Sequence, residues 1–166
     1  MTVICRNISL MQLDSIMEVH YYNVNVAWNK DRRGMMWSPE LTRNGSTENC
    51  IEVATPPEFP KGIPGIWSPE HLFTASVSSC FMTTFLAVAD NSKLEFKSFT
   101  CLGKGKLDTV DGKLQMTEVD LEPVLCLHSA DDRDKALRVL AKAEQACLIT
   151  LSVRAIVKVT PVVEAP

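Results

Sequence analysis

The segment 68–90, SPEHLFTASVSSCFMTTFLAVAD, is the feature that most constrains the fold of this chain. It begins as helices often begin, with Ser68 as N-cap, Pro69 at the first helical position and Glu70 in the first turn. No glycine or proline interrupts it afterwards, and its interior carries no charged side chain. Apolar residues fall on more than one face, which is typical of a buried helix. The rest of the chain must therefore cover this helix.

Alternation of apolar and polar residues predicts strands on the N-terminal side of the helix. The predicted strands cover 18–28, 35–41 and 50–55. In the first of them, Tyr22, Val24, Val26 and Trp28 share one face, so we expect it to be half-buried. A charged turn, NKDRRG, and an Asn44-Gly45 hairpin turn separate the strands. A stiff loop with five prolines then leads into the helix.

The residues after the helix predict two further strands, a second helix and a last strand. These elements cover 94–110, 113–127, 129–147 and 151–163. Asp111-Gly112 is a hairpin turn between the first two, and Ser129 can cap the second, amphipathic helix. Strands in hairpins together with two helices predict an α+β protein.

The length of 166 residues predicts one domain over 18–166, with residues 1–17 as an N-terminal arm or extension. Both Met1 and Met17 are possible starts. A monomer of this size does not easily cover an apolar helix on all sides, so we expect a homodimer.

Charge and cysteine spacing exclude several classes of function. The formal net charge of −3 gives no indication of a nucleic-acid or anionic-membrane partner. No apolar run is long enough for a membrane span, and the N-terminus makes a poor signal peptide. Six cysteines at long, irregular spacings, without a C-x-x-C pair, argue against a zinc site and a disulfide framework. We therefore expect a reduced, cytoplasmic protein.

Cys80, in the middle of the predicted helix, is either a buried core residue or a reactive thiol. Composition alone favours the core residue. Cys80 lies about 17 Å along the axis from the N-cap, so the helix dipole does not reach it and a thiolate there needs a cation. Three features increase the weight of the reactive alternative: Glu70 on the same helix, Arg32 and Arg33 in the charged turn, and Cys147 after the second helix. Each also has a purely structural explanation.

Three motifs resemble the OsmC/Ohr family of osmotically inducible and organic hydroperoxide resistance proteins. The first is SPEHLFTASVSSCFMTTFLAVA, with its Ser-Pro-Glu opening and Cys-Phe pair. The second is a cysteine after an amphipathic helix, AEQACLITLSV, and the third is a strand ending in tryptophan before a turn that closes on Arg-Gly, AWNKDRRG. They occur in family order over roughly residues 18–160. The resemblance implies an OsmC-like fold, an intertwined homodimer with long helices packed between sheets.

The resemblance also implies an activity, a thiol peroxidase that reduces organic hydroperoxides. Cys80 matches the cysteine that attacks the peroxide, and Cys147 matches the cysteine that resolves the sulfenic acid as a disulfide. Glu70 and Arg33, with Arg32 as the alternative, match the ion pair that holds the thiolate. No bound cofactor or metal is implied; electrons come from an external dithiol.

Two departures from the family leave other functions open. Leu148 follows Cys147 where many members have proline, and the loop PPEFPKGIPGIW is long. The alternative is a non-catalytic protein of the same fold that binds a hydrophobic small molecule or senses redox state. A thiol-dependent hydrolase is a further possibility, with His20, His71 and His128 as the available bases.

Overall fold

The structure is a computed structural model that describes residues 19–41 and 49–166. The predicted Asn44-Gly45 turn and the arm over 1–17 lie outside the described residues. The chain divides into two compact units, Met1–Val53 and Ala54–Pro166, which we describe separately.

The first unit contains a sheet of three strands in the order β1-β2-β3. The strands are β1 (Asn25–Lys30), β2 (Arg33–Trp37) and β3 (Ile51–Ala54). β1 and β2 pair antiparallel around a turn in which Asp31 has a φ of +50°. β1 begins later than the alternation predicts, and all of its side chains are exposed in the single chain. None of the described residues covers the predicted half-buried face, so that prediction is wrong for the single chain.

The second unit is built around helix α1 (Pro69–Asn91), whose predicted start is confirmed. Ser68 is buried, and its Oγ accepts a hydrogen bond from the His71 backbone N–H at 3.3 Å. α1 buries a stripe with i, i+4 spacing against the rest of the unit. The stripe consists of Val77, Phe81, Phe85 and Ala89.

The opposite side of α1 is exposed in the single chain. The exposed fractions of Met82 and Leu86 are 38% and 43%. The described residues therefore do not cover α1 on all sides, although an apolar helix needs such cover. It is long and apolar enough to cross a membrane by length and composition alone, a property that the core helices of soluble proteins share.

A long hairpin lies next to α1. It consists of β4 (Phe96–Val110) and β5 (Lys113–Leu127), joined by the predicted Asp111-Gly112 turn. Both turn residues have positive φ, +51° and +75°, as a two-residue hairpin turn with the right twist requires. Phe85 of α1 stacks on Phe99 of β4 with ring centroids 4.7 Å apart.

Two glycines let α1 approach β4 closely. A Cβ added at Gly103 would overlap Ser78 Oγ, and one at Gly105 would overlap Thr74 Oγ1. Glycine at these positions of β4 therefore leaves room for the hydroxyl side chains of α1.

The C-terminal part differs from the prediction at its end. After a 3-10 turn (Ala130–Asp132) with Ser129 as its cap, α2 (Arg133–Ala146) follows as predicted. The segment predicted as one strand over 151–163 instead comprises the end of α3 (Leu148–Ser152), β6 (Ile156–Val159) and β7 (Val162–Glu164). β6 and β7 both pair parallel to β5, with Pro161 between them. The α+β class is confirmed.

Candidate active site

Two cysteines from different elements meet in the second unit. Cys80 lies half-buried near the middle of α1. Cys147 lies at the end of α2, where it is the N-cap residue of α3, and it is fully buried. The two thiols lie close enough together for each to shift the pKa of the other. The packing of α1 against α2 and α3 thus brings together the two cysteines that sequence reasoning selected.

Two further polar groups lie at the sulfur of Cys80. The backbone N–H of Ile149, in α3, donates to Cys80 Sγ at 3.4 Å. Thr84, one turn further along α1, places its Oγ1 4.0 Å from the same sulfur. Donors directed at a sulfur favour its anionic form over the neutral thiol.

The pKa values of the two thiols are shifted in opposite directions, down for Cys80 and up for Cys147. For Cys80 the largest single effect is burial, which raises the pKa, but the donors Ile149, Cys147, Thr84 and Leu148 together lower it below its ordinary value. For Cys147, burial raises the pKa, the hydroxyl and N–H of Thr150 lower it, and the neighbouring Cys80 raises it further. The pKa of Cys147 ends above its ordinary value. Cys80 is therefore the thiol that ionises first.

Glu70, the predicted carboxylate of the site, lies in the first turn of α1. Its Oε2 is buried and has no hydrogen-bond partner among the described residues. A buried carboxylate oxygen without a hydrogen-bond partner destabilises the folded state, so we expect a donor to bind at this position.

Arg33, the predicted cation, begins β2 in the first unit. Its Nη1 lies 3.4 Å from Glu52 Oε1, while its Nε is buried and has no partner within the described parts of the chain. Arg32, the alternative, lies exposed in the turn before β2. The predicted ion pair between Arg33 and Glu70 stays a prediction.

A cavity of about 580 Å³ lies beside the start of α1 within the second unit. Glu70 lines it together with apolar side chains and the two glycines of β4. The apolar residues include Phe59, Trp67, Leu107 and Met116. The cavity can hold an apolar molecule of moderate size.

The histidines do not form a Cys-His arrangement. His71 Nδ1 lies 2.8 Å from Ser68 Oγ, and its ring packs edge-on against Trp67. His20 and His128 are exposed. No histidine in residues 19–41 or 49–166 hydrogen-bonds to Cys80, as a thiol-dependent hydrolase requires. In the same residues, no group of three or more His, Cys, Asp or Glu side chains is placed to bind a metal ion.

Sequence reasoning missed three groups at Cys80: the backbone N–H groups of Leu148 and Ile149, and the hydroxyl of Thr84. Ile149 acts through its backbone N–H, which no residue type signals. Thr84 stands four residues after Cys80, so the i, i+4 spacing on a helix places it on the same face. That spacing was visible in the sequence.

Comparison with known proteins identifies the family. A family model of OsmC-like proteins matches residues 62–162, which includes α1, both cysteines and the hairpin. The chain belongs to the OsmC-like family. No curated protein sequence matches it.

Solved structures of OsmC-like proteins share the fold of this chain. An OsmC-like protein of unknown function from Vibrio cholerae is 23% identical with a TM-score of 0.73, over 87% of this chain and 100% of that one. An organic hydroperoxide resistance protein from Legionella pneumophila is 20% identical with a TM-score of 0.67, covering 89% and 98%. Another from Elizabethkingia anophelis is 20% identical with a TM-score of 0.68, covering 90% and 99%. The predicted OsmC-like fold is thereby confirmed.

Proposed function

We propose that this OsmC-like protein is a thiol-dependent peroxidase that reduces organic hydroperoxides. The observation that carries the proposal is the proximity of a half-buried thiol of lowered pKa, Cys80, to a buried thiol of raised pKa, Cys147, each of which shifts the pKa of the other. A peroxidase of this kind needs one thiolate to attack and a second thiol close by to protect the product from over-oxidation.

In the first step the Cys80 thiolate attacks the terminal oxygen of the hydroperoxide. An S–O bond forms as the O–O bond breaks, and the leaving alkoxide takes a proton from solvent to become an alcohol. The sulfur is oxidised by two electrons to a sulfenic acid. The donors around Cys80 support this step because they favour the ionised form of the sulfur.

In the second step the Cys147 thiol attacks the sulfenic acid. An S–S bond forms, the S–O bond breaks, and the hydroxide leaves as water with the proton of the Cys147 thiol. Because the ionised Cys80 is one of the causes that raise the pKa of Cys147, its oxidation removes that cause and favours ionisation of Cys147. An external dithiol then reduces the disulfide, with two thiols oxidised for two regenerated.

We assign Arg33 and Glu70 to the support of the thiolate. A guanidinium near Cys80 would favour the anion and the developing alkoxide, and a carboxylate would hold the planar guanidinium in place. The unpaired buried atoms, Nε of Arg33 and Oε2 of Glu70, support this assignment because each needs a partner.

The substrate we propose is an apolar organic hydroperoxide. Three neighbours of the same fold, from Legionella pneumophila, Elizabethkingia anophelis and Bacillus subtilis, are named organic hydroperoxide resistance proteins. The cavity beside Glu70 is mostly apolar, which suits such a molecule, although neither Cys80 nor Cys147 lines it. We further propose that the protein acts in the cytoplasm as a homodimer, without a bound cofactor.

The test is stopped-flow consumption of cumene hydroperoxide by the reduced protein, with free thiols counted before and after. We expect the parent to lose two thiols rapidly, Cys80→Ser to lose none, and Cys147→Ser to stop at a sulfenic acid on Cys80. Cys126→Ser is the matched control, because the Cys126 thiol is also half-buried but hydrogen-bonds to Glu164. It should behave like the parent.

Absence of peroxide-dependent thiol loss in the parent would contradict the peroxidase. The second candidate, a binding protein for a hydrophobic small molecule, would then take first place, since the cavity of about 580 Å³ is large enough to hold one. The binding protein would be supported if an apolar fluorescent probe binds the parent and a substitution that fills the cavity abolishes this binding.

A further inference from the structure

The hydroxyl side chains along α1 fall into two groups by what they contact. Most donate to a carbonyl one turn back, as serine and threonine commonly do inside helices. These donors are Thr74 to Glu70, Ser76 to Phe73, Ser78 to Thr74, Ser79 to Ser76 and Thr83 to Ser79 and Cys80. Thr84 differs, because within the described chain its hydroxyl has the sulfur of Cys80 as its hydrogen-bond partner.

The geometry points to Thr84 as a positioning residue for Cys80, whose hydroxyl donates a hydrogen bond to the attacking sulfur. This inference rests on the proposed function and deepens it. Thr84 approaches the sulfur from α1 itself, while the Ile149 N–H approaches from α3. A sulfur held by donors from two elements has little freedom to turn away from an incoming peroxide.

Thr84 suits this task by its position and its shape. It lies at i+4 from Cys80, the spacing at which helix side chains meet. Its side chain is half-buried, so water competes less for the hydroxyl than it does at the exposed Thr83. Its branched Cβ also limits rotation, which keeps the hydroxyl near the sulfur.

In the surroundings of Cys80, a single hydrogen bond can change the ionisation of the thiol. The titratable group that faces the sulfur from the end of α2 is Cys147, and α3 contributes backbone N–H groups. The largest effects on the pKa of Cys80 are burial and four hydrogen-bond donors, and no charged side chain is among them. Loss of one neutral donor should therefore produce a measurable change in the ionisation of the thiol.

The test compares Thr84→Val, Thr84→Ser and Thr83→Val, in a background with Cys5, Cys50, Cys101 and Cys126 replaced by serine. The rate of iodoacetamide alkylation of Cys80, identified by peptide mass, is followed against pH. Valine keeps the shape of threonine but cannot donate. We expect Thr84→Val to raise the pKa of Cys80 and slow its alkylation at neutral pH by about three- to tenfold.

Thr84→Ser should restore the parent behaviour, because it restores the hydroxyl. Thr83→Val should leave it unchanged, because the Thr83 hydroxyl serves backbone carbonyls. An unchanged alkylation profile in a folded Thr84→Val protein overturns the inference. Alkylation uses no peroxide, so this result is separate from the peroxidase test. If the parent fails to reduce peroxide but Thr84→Val still shifts the alkylation profile, the proposed function is contradicted and the role of Thr84 is retained.

Discussion

At Cys80 the ionisation of a thiol is decided by a competition between burial and hydrogen bonding. Burial alone would make the thiolate less stable, and it is the largest single effect on the pKa. Several donors of modest strength together outweigh it. At Cys147 burial outweighs the donors and its pKa is raised, although the two residues lie close together. Small differences in donor number thus give two neighbouring cysteines different chemistry.

The donor balance predicts a pH dependence for the proposed first step. The thiolate fraction of Cys80 rises with pH, so the rate of peroxide reduction should rise and then level off, with a midpoint below that of an ordinary thiol. Cys147→Ala removes one donor, so the pKa of Cys80 rises and the midpoint should move to higher pH. Single-turnover rates measured across the pH range check this.

Cys126→Ala provides the control, since its thiol donates to Glu164 and does not act on Cys80. Its profile should match that of the parent. A midpoint for Cys147→Ala that stays in place, or that moves to lower pH, would show that the contact between the two thiols does not stabilise the thiolate.

The residues of the site could be predicted only in part. Cys80 within a helix and Cys147 after the next helix could be selected from the sequence, and the fold brings them close together. The N–H of Ile149 could not be predicted, because a backbone donor depends on the start of α3 and not on the residue that carries it. The neighbour of Arg33 was likewise hidden, since Glu52 lies on another strand.

At the scale of elements, local signals explain where the predictions succeeded. The start of α1 follows from the cap at Ser68 and the Pro69 that comes after it. The Asp111-Gly112 turn fixes the long hairpin. The segment 151–163 differs from the predicted single strand because its apolar run suits a short helix as well as a strand. Parallel pairing with β5 depends on a crossover through α2, which no local pattern reveals.

The close approach of α1 to β4 predicts a sensitive contact. Gly103→Ala places a methyl group against Ser78 Oγ, and overpacking of this kind costs about 1–3 kcal/mol in the free energy of unfolding. Ser78→Ala removes the hydroxyl and leaves the Ser78 Cβ at 3.4 Å, an ordinary contact. The double variant should therefore recover much of the loss. Urea denaturation of the parent, both single variants and the double variant measures the coupling.

The single variant Ser78→Ala serves as the reference, because it loses a hydroxyl but gains no clash. Simple addition of the two single effects in the double variant would mean that Gly103 and Ser78 are not coupled. The close packing of α1 on β4 would then rest on other contacts.

For the whole molecule, the open question is what covers the exposed side of α1. Met82 and Leu86 are spaced one turn apart on that side, and the described part of a single chain leaves both partly exposed. The apolar character of α1 was plain from the sequence, but the sequence does not say whether the chain or a second copy provides the cover. We propose a second copy.

This proposal predicts that the protein is a dimer in sedimentation equilibrium and that Leu86→Glu weakens the dimer by at least about tenfold, since a buried charge without a partner is costly. Leu137→Glu is the control. Leu137 is exposed to a similar extent, 40%, but lies on the amphipathic α2, where exposed leucines need no cover. A monomeric parent, or equal effects of the two substitutions, would contradict the proposed interface.

The position of the two cysteines along the chain has a mechanical consequence. Between Cys80 and Cys147 lie the second half of α1, the whole β4–β5 hairpin and α2. A bond between the two sulfurs closes this stretch into a covalent ring. For a loop of this length, the lost entropy of the unfolded chain raises the free energy of unfolding by about 4 kcal/mol. In the proposed cycle the disulfide form would therefore be more stable against unfolding than the dithiol form. The protein would be most stable after it has reduced a peroxide and before the external dithiol reduces it.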